Sequence, residues 1–234
     1  MEQVWILLLS SVMLFMVPGV QAQVSVNRTG CGLTKLCLET PDDCDPSGNS
    51  SCLFGSVAAG PHMPPNGVNL SFELSGQSFG YVALGLTVNA TVGSTRFFIC
   101  GKRNETFFFR TMSRNNTNEM LTAEITTAVD VQGALSGDVI RCLFTVGGLN
   151  ATALRSSHST TFSVLLGRGN VTDGGVGPLT VVLSSDPLDL TNPGSNVNTT
   201  ATPPTTSGAG GAPHAHAGLL LLLGFLALGL LPTL

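Results

Sequence analysis

The chain is apolar at both ends and rich in glycan acceptors between them, and this layout decides where it folds before any chemistry is considered. Residues Val4 to Val17 form one apolar run, Gly218 to Leu231 form a second, and nine Asn-x-Ser/Thr acceptors lie between. The first run is shorter than the ~20 apolar residues that a bilayer-spanning helix takes. It ends in Pro18-Gly19 and then Val20-Gln21-Ala22, the small-residue spacing of a signal-peptidase site. Residues 1–22 are therefore expected to be a signal peptide, with the mature chain starting at Gln23. The stretch before the run carries Glu2 and no Lys or Arg, and a signal anchor is the alternative.

The second run has no Lys or Arg after it, whereas a stop-transfer helix keeps cytoplasmic positive charge because that charge sets its orientation. Ser207-Gly208-Ala209 are small, Gly210 to Ala217 form a short spacer, and the apolar tail follows, as a lipid-anchor signal requires. Ser207 is the expected attachment point of a glycosylphosphatidylinositol anchor, and residues 208–234 the discarded propeptide. A single-pass helix is the alternative. His214 and His216 fall in the spacer and are not read as a metal site. The expected location is the outer leaflet of the plasma membrane, reached through the secretory pathway and held there by lipid.

Charged residues make up only 10% of the chain and the net charge is −4, which argues against nucleic acid as a partner, since that needs a basic stripe. The glycan acceptors are Asn27, Asn49, Asn69, Asn89, Asn104, Asn115, Asn150, Asn170 and Asn198. Chance placement at this Ser/Thr content gives roughly three, so the excess points to use. The six cysteines, Cys31, Cys37, Cys44, Cys52, Cys100 and Cys142, are an even count in a secreted chain and read as disulfides, with the pairing open. Four of them are crowded between Cys31 and Cys52, which predicts a stapled, loop-rich cap. Zinc is the rival reading, but no Cys-x-x-Cys pair is present.

Residues 23–60 are rich in Cys, Pro, Asp, Ser and Gly and read as loops with few regular elements. From Asn69 the chain alternates. Phe72 and Leu74 share one face and Glu73 takes the other, the period of a strand. Further strands are predicted over Phe79 to Val88, Thr95 to Cys100, Thr106 to Thr111, Asp138 to Val146, Thr160 to Leu166 and Leu179 to Leu183, with a weaker one over Met120 to Thr127. In Asp138 to Val146, Ile140, Cys142, Phe144 and Val146 share a face against Arg141 and Thr145. Short strands separated by Gly, Asn or Pro, without helical periodicity, predict an all-β sandwich or Greek-key barrel over residues 61–184. Asn89, Asn104, Asn115, Asn150 and Asn170 fall in the proposed loops. After Ser184 the apolar period is lost, and residues 185–207 read as an extended Ser/Thr/Pro-rich stalk.

Two stretches carry a family likeness. The first is Cys31-Gly32-Leu33-Thr34-Lys35-Leu36-Cys37, with Pro41-Asp42-Asp43-Cys44-Asp45-Pro46 and Cys52-Leu53-Phe54 behind it. The second is Phe72-Glu73-Leu74-Ser75-Gly76, then Gly80-Tyr81-Val82-Ala83-Leu84-Gly85-Leu86, then Phe98-Ile99-Cys100. Together, over Cys31 to Ser184, they resemble the DOMON domain of the vertebrate ferric-chelate reductase-like proteins. The resemblance implies an immunoglobulin-like β-sandwich. It also implies a haem b held in some members between a Met and a His, a ligand pair that suits electron transfer. Counting back from Cys100, the family's Met position is occupied by Val92, followed by Gly93, so the loop keeps its glycine and lacks the ligand. The nearest His to the family's second ligand is His158. Met63, after His62, is the leading substitute Met, and Met112 and Met120 have no specific claim. The sequence carries no transmembrane cytochrome of the kind full-length reductases use, so on its own it is expected not to pass electrons across a bilayer.

No nucleophile elbow, zinc-protease motif or phosphate loop is present. Gly174-Gly175-Val176-Gly177-Pro178 reads as a turn between strands. Asp42, Asp43 and Asp45 make half a calcium loop and lack the remaining ligands. With Tyr81 the only mature aromatic besides Phe, a carbohydrate-stacking platform has little to work with. The expected function is a non-enzymatic module that binds a ligand or a cell-surface protein, with no resident cofactor. The alternative is an extracellular haem b carrier that assists ferric-chelate reduction with a separate membrane cytochrome.

Overall fold

The computed structural model describes residues 24–48, 51–62, 68–125, 127–151 and 159–198. Their strands are β1 (Leu36–Thr40), β2 (Leu53–His62), β3 (Val68–Gln77), β4 (Tyr81–Thr87), β5 (Ser94–Arg103), β6 (Thr106–Asn115), β7 (Leu121–Glu124), β8 (Ala128–Ser136), β9 (Val139–Val146), β10 (Thr161–Thr172) and β11 (Gly175–Asp189). A 3-10 turn, Pro193–Asn198, closes the described chain. The strands form two antiparallel sheets, one in the order β1-β2-β3-β9-β8 and one in the order β11-β10-β4-β5-β6-β7. The protein is an all-β sandwich.

The alternation seen in the sequence decides which side chains meet between the sheets. Phe72, Leu74, Ile140, Cys142, Phe144 and Val146 from one sheet face Val82, Leu84, Phe98 and Leu166 from the other, all buried. At the centre Phe72, Phe98 and Phe109 each pack on Phe144, with ring centroids 5.1 Å apart. Full burial of one such side chain is worth ~2–3 kcal/mol. A Cys100–Cys142 disulfide ties β5 to β9 across this core.

The cysteine-rich segment is stapled, as expected, by Cys31–Cys37 and Cys44–Cys52. It is not, however, a loop-rich cap beside the sandwich, because β1 and β2 are two strands of the first sheet. The remaining loops plate that sheet's outer face. Val26, Cys52 and Phe54 form a small buried cluster there. Beneath it the Lys35 ammonium donates to the Glu73 carboxylate at 2.7 Å and to the Asn27 carbonyl at 2.7 Å, so the charge is buried with partners. The strand signal of β2 was hidden because Leu53 and Val57 face the core while Phe54 is buried under the plate. With both faces covered, the polar half of the alternation is gone.

Two more sequence readings are corrected. The sheet does not end at Ser184, since β11 runs to Asp189 and Leu188 and Leu190 are buried in the core. Asp189 fastens this end. Burial alone would raise its carboxyl pKa, but bonds donated by the Thr160 hydroxyl and by the Thr191 hydroxyl and amide hold it below the usual range. Strand β8 was missed because its pattern is broken by a bulge between Val129 and Gln132, where Asp130 takes a positive φ of 54°. Of the acceptors placed in loops, Asn89, Asn104 and Asn150 lie there, Asn115 ends β6, and Asn170 sits within β10 with its side chain exposed.

Candidate functional site

The outer face of the second sheet is apolar, which a solvent-facing sheet does not need to be. Tyr81, Ala83, Phe97, Ile99 and Leu165 are buried there, with Phe108, Met112, Leu121, Val171, Val176, Leu179 and Val181 packed on them. Neighbouring strands explain how the face is shielded. Gly169, Gly85 and Gly101 stand opposite Tyr81, Phe97 and Phe108 in the register. Each ring lies where the glycine's Cβ would be. The three rings lean the same way, from β4 over β10, β5 over β4 and β6 over β5, like overlapping shingles. The Tyr81 hydroxyl donates to the Gly177 carbonyl of β11 at 2.9 Å, and burial pushes its pKa up to about 12.

Between β6–β7 on one side and the tip of the β10–β11 hairpin on the other, this face sinks into a groove of about 690 Å³. Its apolar lining is Phe108, Met112, Leu121, Val171 and Val176; Arg103 and Arg110 supply positive charge, and no carboxylate lines it. Arg103 donates to the Asp173 carbonyl at 3.1 Å, across the groove's end. Arg110 is exposed and makes no ion pair or hydrogen bond among the described residues. Leu121 and Val176 also line an adjoining hollow of about 330 Å³ with Arg114, Glu119 and Leu179, so the two share a wall. The Arg114 guanidinium stacks over the Phe97 ring at 5.3 Å, and its buried Nε has no hydrogen-bond partner among the described residues. The sequence reading did not find this site. Its residues come from five strands, and only the alternation of Phe108, Arg110, Met112 and Arg114 along β6 hinted at it. The turn expected over Gly174 to Pro178 is only Asp173–Gly174, and Gly175 to Pro178 already belong to β11, an edge strand that tolerates proline.

A second hollow, about 380 Å³, opens between the sheets at the end that carries the Val88–Gly93 loop. This loop holds Val92, at the position where the resemblance implies a haem Met. Val92 is exposed, in a loop held by the Asn89 side chain, whose oxygen accepts from the Thr91 and Val92 amides. The hollow is lined by Leu86, Arg96, Ser113, Glu124, Leu149 and Phe162 among others, and Arg96 pairs with Glu124 at 2.9 Å. No Met or His is among the described residues that line it. Met63 and His158, the two candidate ligands, lie outside the described residues, as do Asn49 and Ser207. Met112 lines the outer groove and Met120 is exposed just before β7. Of the acidic cluster, Asp43 pairs with Arg28 at 3.0 Å and Asp45 accepts from the Ser47 hydroxyl at 2.6 Å, so both carboxylates already have partners.

The chain is similar to curated vertebrate proteins, among them these three. It is 24% identical over 160 residues to a putative ferric-chelate reductase 1 of Danio rerio, covering 68% of this chain and 27% of that protein. It is 25% identical over 127 residues to the Xenopus laevis putative ferric-chelate reductase 1, covering 54% and 20%. It is 24% identical over 152 residues to Homo sapiens ferric-chelate reductase 1, covering 63% and 24%. No family model and no solved structure matches. The chain is thus related to the ferric-chelate reductase-like proteins and spans about a quarter of the length of these relatives.

Proposed function

We propose that this chain is a lipid-anchored extracellular glycoprotein whose DOMON-type sandwich works as a non-enzymatic binding module. The observation that carries this is the groove on the outer face of the second sheet, concave, apolar and lined by two arginines. Sites of that size with a few placed polar groups are where small ligands bind. The sequence signals at Val20-Gln21-Ala22 and at Ser207-Gly208-Ala209 support the extracellular, anchored part of the reading.

The relation to ferric-chelate reductases favours a second reading, a haem b electron carrier that accepts electrons from a separate membrane cytochrome. Val92 at the family's Met position counts against it. The two readings differ in a cell assay. Cells displaying the chain, with and without a co-expressed membrane cytochrome b, are given a ferric chelate. The binding-module reading expects reduction to equal that of matched cells lacking the chain. Faster reduction that follows the surface level of the chain would establish the electron carrier instead.

A further inference from the structure

We propose that the outer-face groove binds a small amphipathic carboxylate, with its head on Arg110 and Arg103 and its hydrocarbon body along Phe108, Met112, Leu121 and Val176. The proposal rests on the binding-module reading and names its ligand class. Charge complementarity is the first argument. The groove holds two guanidinium groups and no carboxylate, and Arg110 has no partner among the described residues. A guanidinium presents its donors as a planar fork that matches a carboxylate in two parallel bonds.

The apolar body follows from the rest of the lining. Phe108, Met112, Leu121, Val171 and Val176 are half-buried, so they form a stripe open to an entering chain rather than a sealed core. Leu121 and Val176 also border the adjoining hollow of about 330 Å³, which gives a long molecule room to lie beyond its head. Size and position favour a small molecule over a protein. About 690 Å³ is within the range of small-ligand sites. The acceptor Asn104, at the β5–β6 turn, lines the same groove, and a glycan there would fence its mouth against a protein surface while leaving space for a slim ligand.

The test uses the full chain on the surface of expressing cells and a palmitate analogue that carries a photoreactive diazirine in its alkyl chain. The cells are held cold, irradiated, and the labelled peptides mapped by mass spectrometry. Expected labels fall within 106–123 and 171–179, compete away with excess palmitate, and resist excess methyl palmitate, which has no anionic head. Arg110→Gln, an exposed position, should lower specific labelling by about tenfold, the effect of losing charged hydrogen bonds to the head. Labelling elsewhere, labelling that palmitate does not displace, or equal displacement by the methyl ester overturns the proposal. The ester arm needs only the native chain, so a variant that fails to reach the surface leaves the test intact. A negative result here removes the ligand class and leaves the binding-module reading standing, because that reading falls only to chain-dependent ferric reduction or to bound haem.

Discussion

Tyr81, Phe97 and Phe108 each lie over a glycine of the neighbouring strand, and the outer face of the second sheet depends on those pairs. A ring over a glycine restores the contacts that the missing side chain would have made. A Cβ at Gly85 would run into the Phe97 ring, which is itself buried beneath Arg114. Gly85→Val should therefore cost about 2 kcal/mol through overpacking, read as a lower urea midpoint with an unchanged slope. An unshifted midpoint would contradict the shingled arrangement. Tyr81 offers a sharper test because it is the only tyrosine in the chain. An unfolded tyrosine ionises near ~10, whereas Tyr81 holds its proton to about 12. Its contribution to stability is complete below the unfolded value and is lost as pH rises from there through the folded one. Ultraviolet titration of the native protein should show tyrosinate forming late. Tyr81→Phe should cost about 1 kcal/mol at neutral pH through the lost bond to Gly177, and should fall less steeply than the native chain in the alkaline window. None of this was legible in the sequence, where Gly85, Gly101 and Gly169 look like any strand glycine until the register places a ring opposite each.

At the scale of elements, the segments with clean alternation were readable and those with both faces covered were not. β3 and β9 declared themselves, since Glu73 and Arg141 mark the outer face between buried neighbours. β1 and β2 did not, because Val26, Cys31, Cys44 and Cys52 cover Phe54 on what would have been the polar face. The pairing of the cysteines was likewise open until the fold brought Cys100 of β5 against Cys142 of β9. The three bridges should differ in worth. Cys100–Cys142 closes a loop of sequence separation 42, and Cys31–Cys37 one of separation 6. On loop entropy alone, replacing the long pair by alanines costs about 4 kcal/mol and the short pair about 2 kcal/mol. Thermal unfolding of the two double variants checks the order. A short-pair variant less stable than the long-pair one would mean that the plate, rather than the sheet-to-sheet tie, holds the domain.

For the whole molecule, the sequence pointed to location and family more readily than to the binding face. The proposed localisation rests on contiguous stretches of sequence, whereas the groove gathers residues from β5, β6, β7, β10 and β11. The proposed anchor makes its own prediction. Phosphatidylinositol-specific phospholipase C should release the chain from expressing cells. Retention, with a known anchored protein released in the same dish, would contradict it. The central claim is that this relative of the ferric-chelate reductases binds without redox chemistry of its own. The visible absorption spectrum of the chain, purified from haem-supplemented secretory cells, tests it most directly. The account predicts no Soret band and no change on adding dithionite. A Soret band at about one haem per folded native chain, sharpening and shifting on reduction, would contradict it and make the chain an electron carrier.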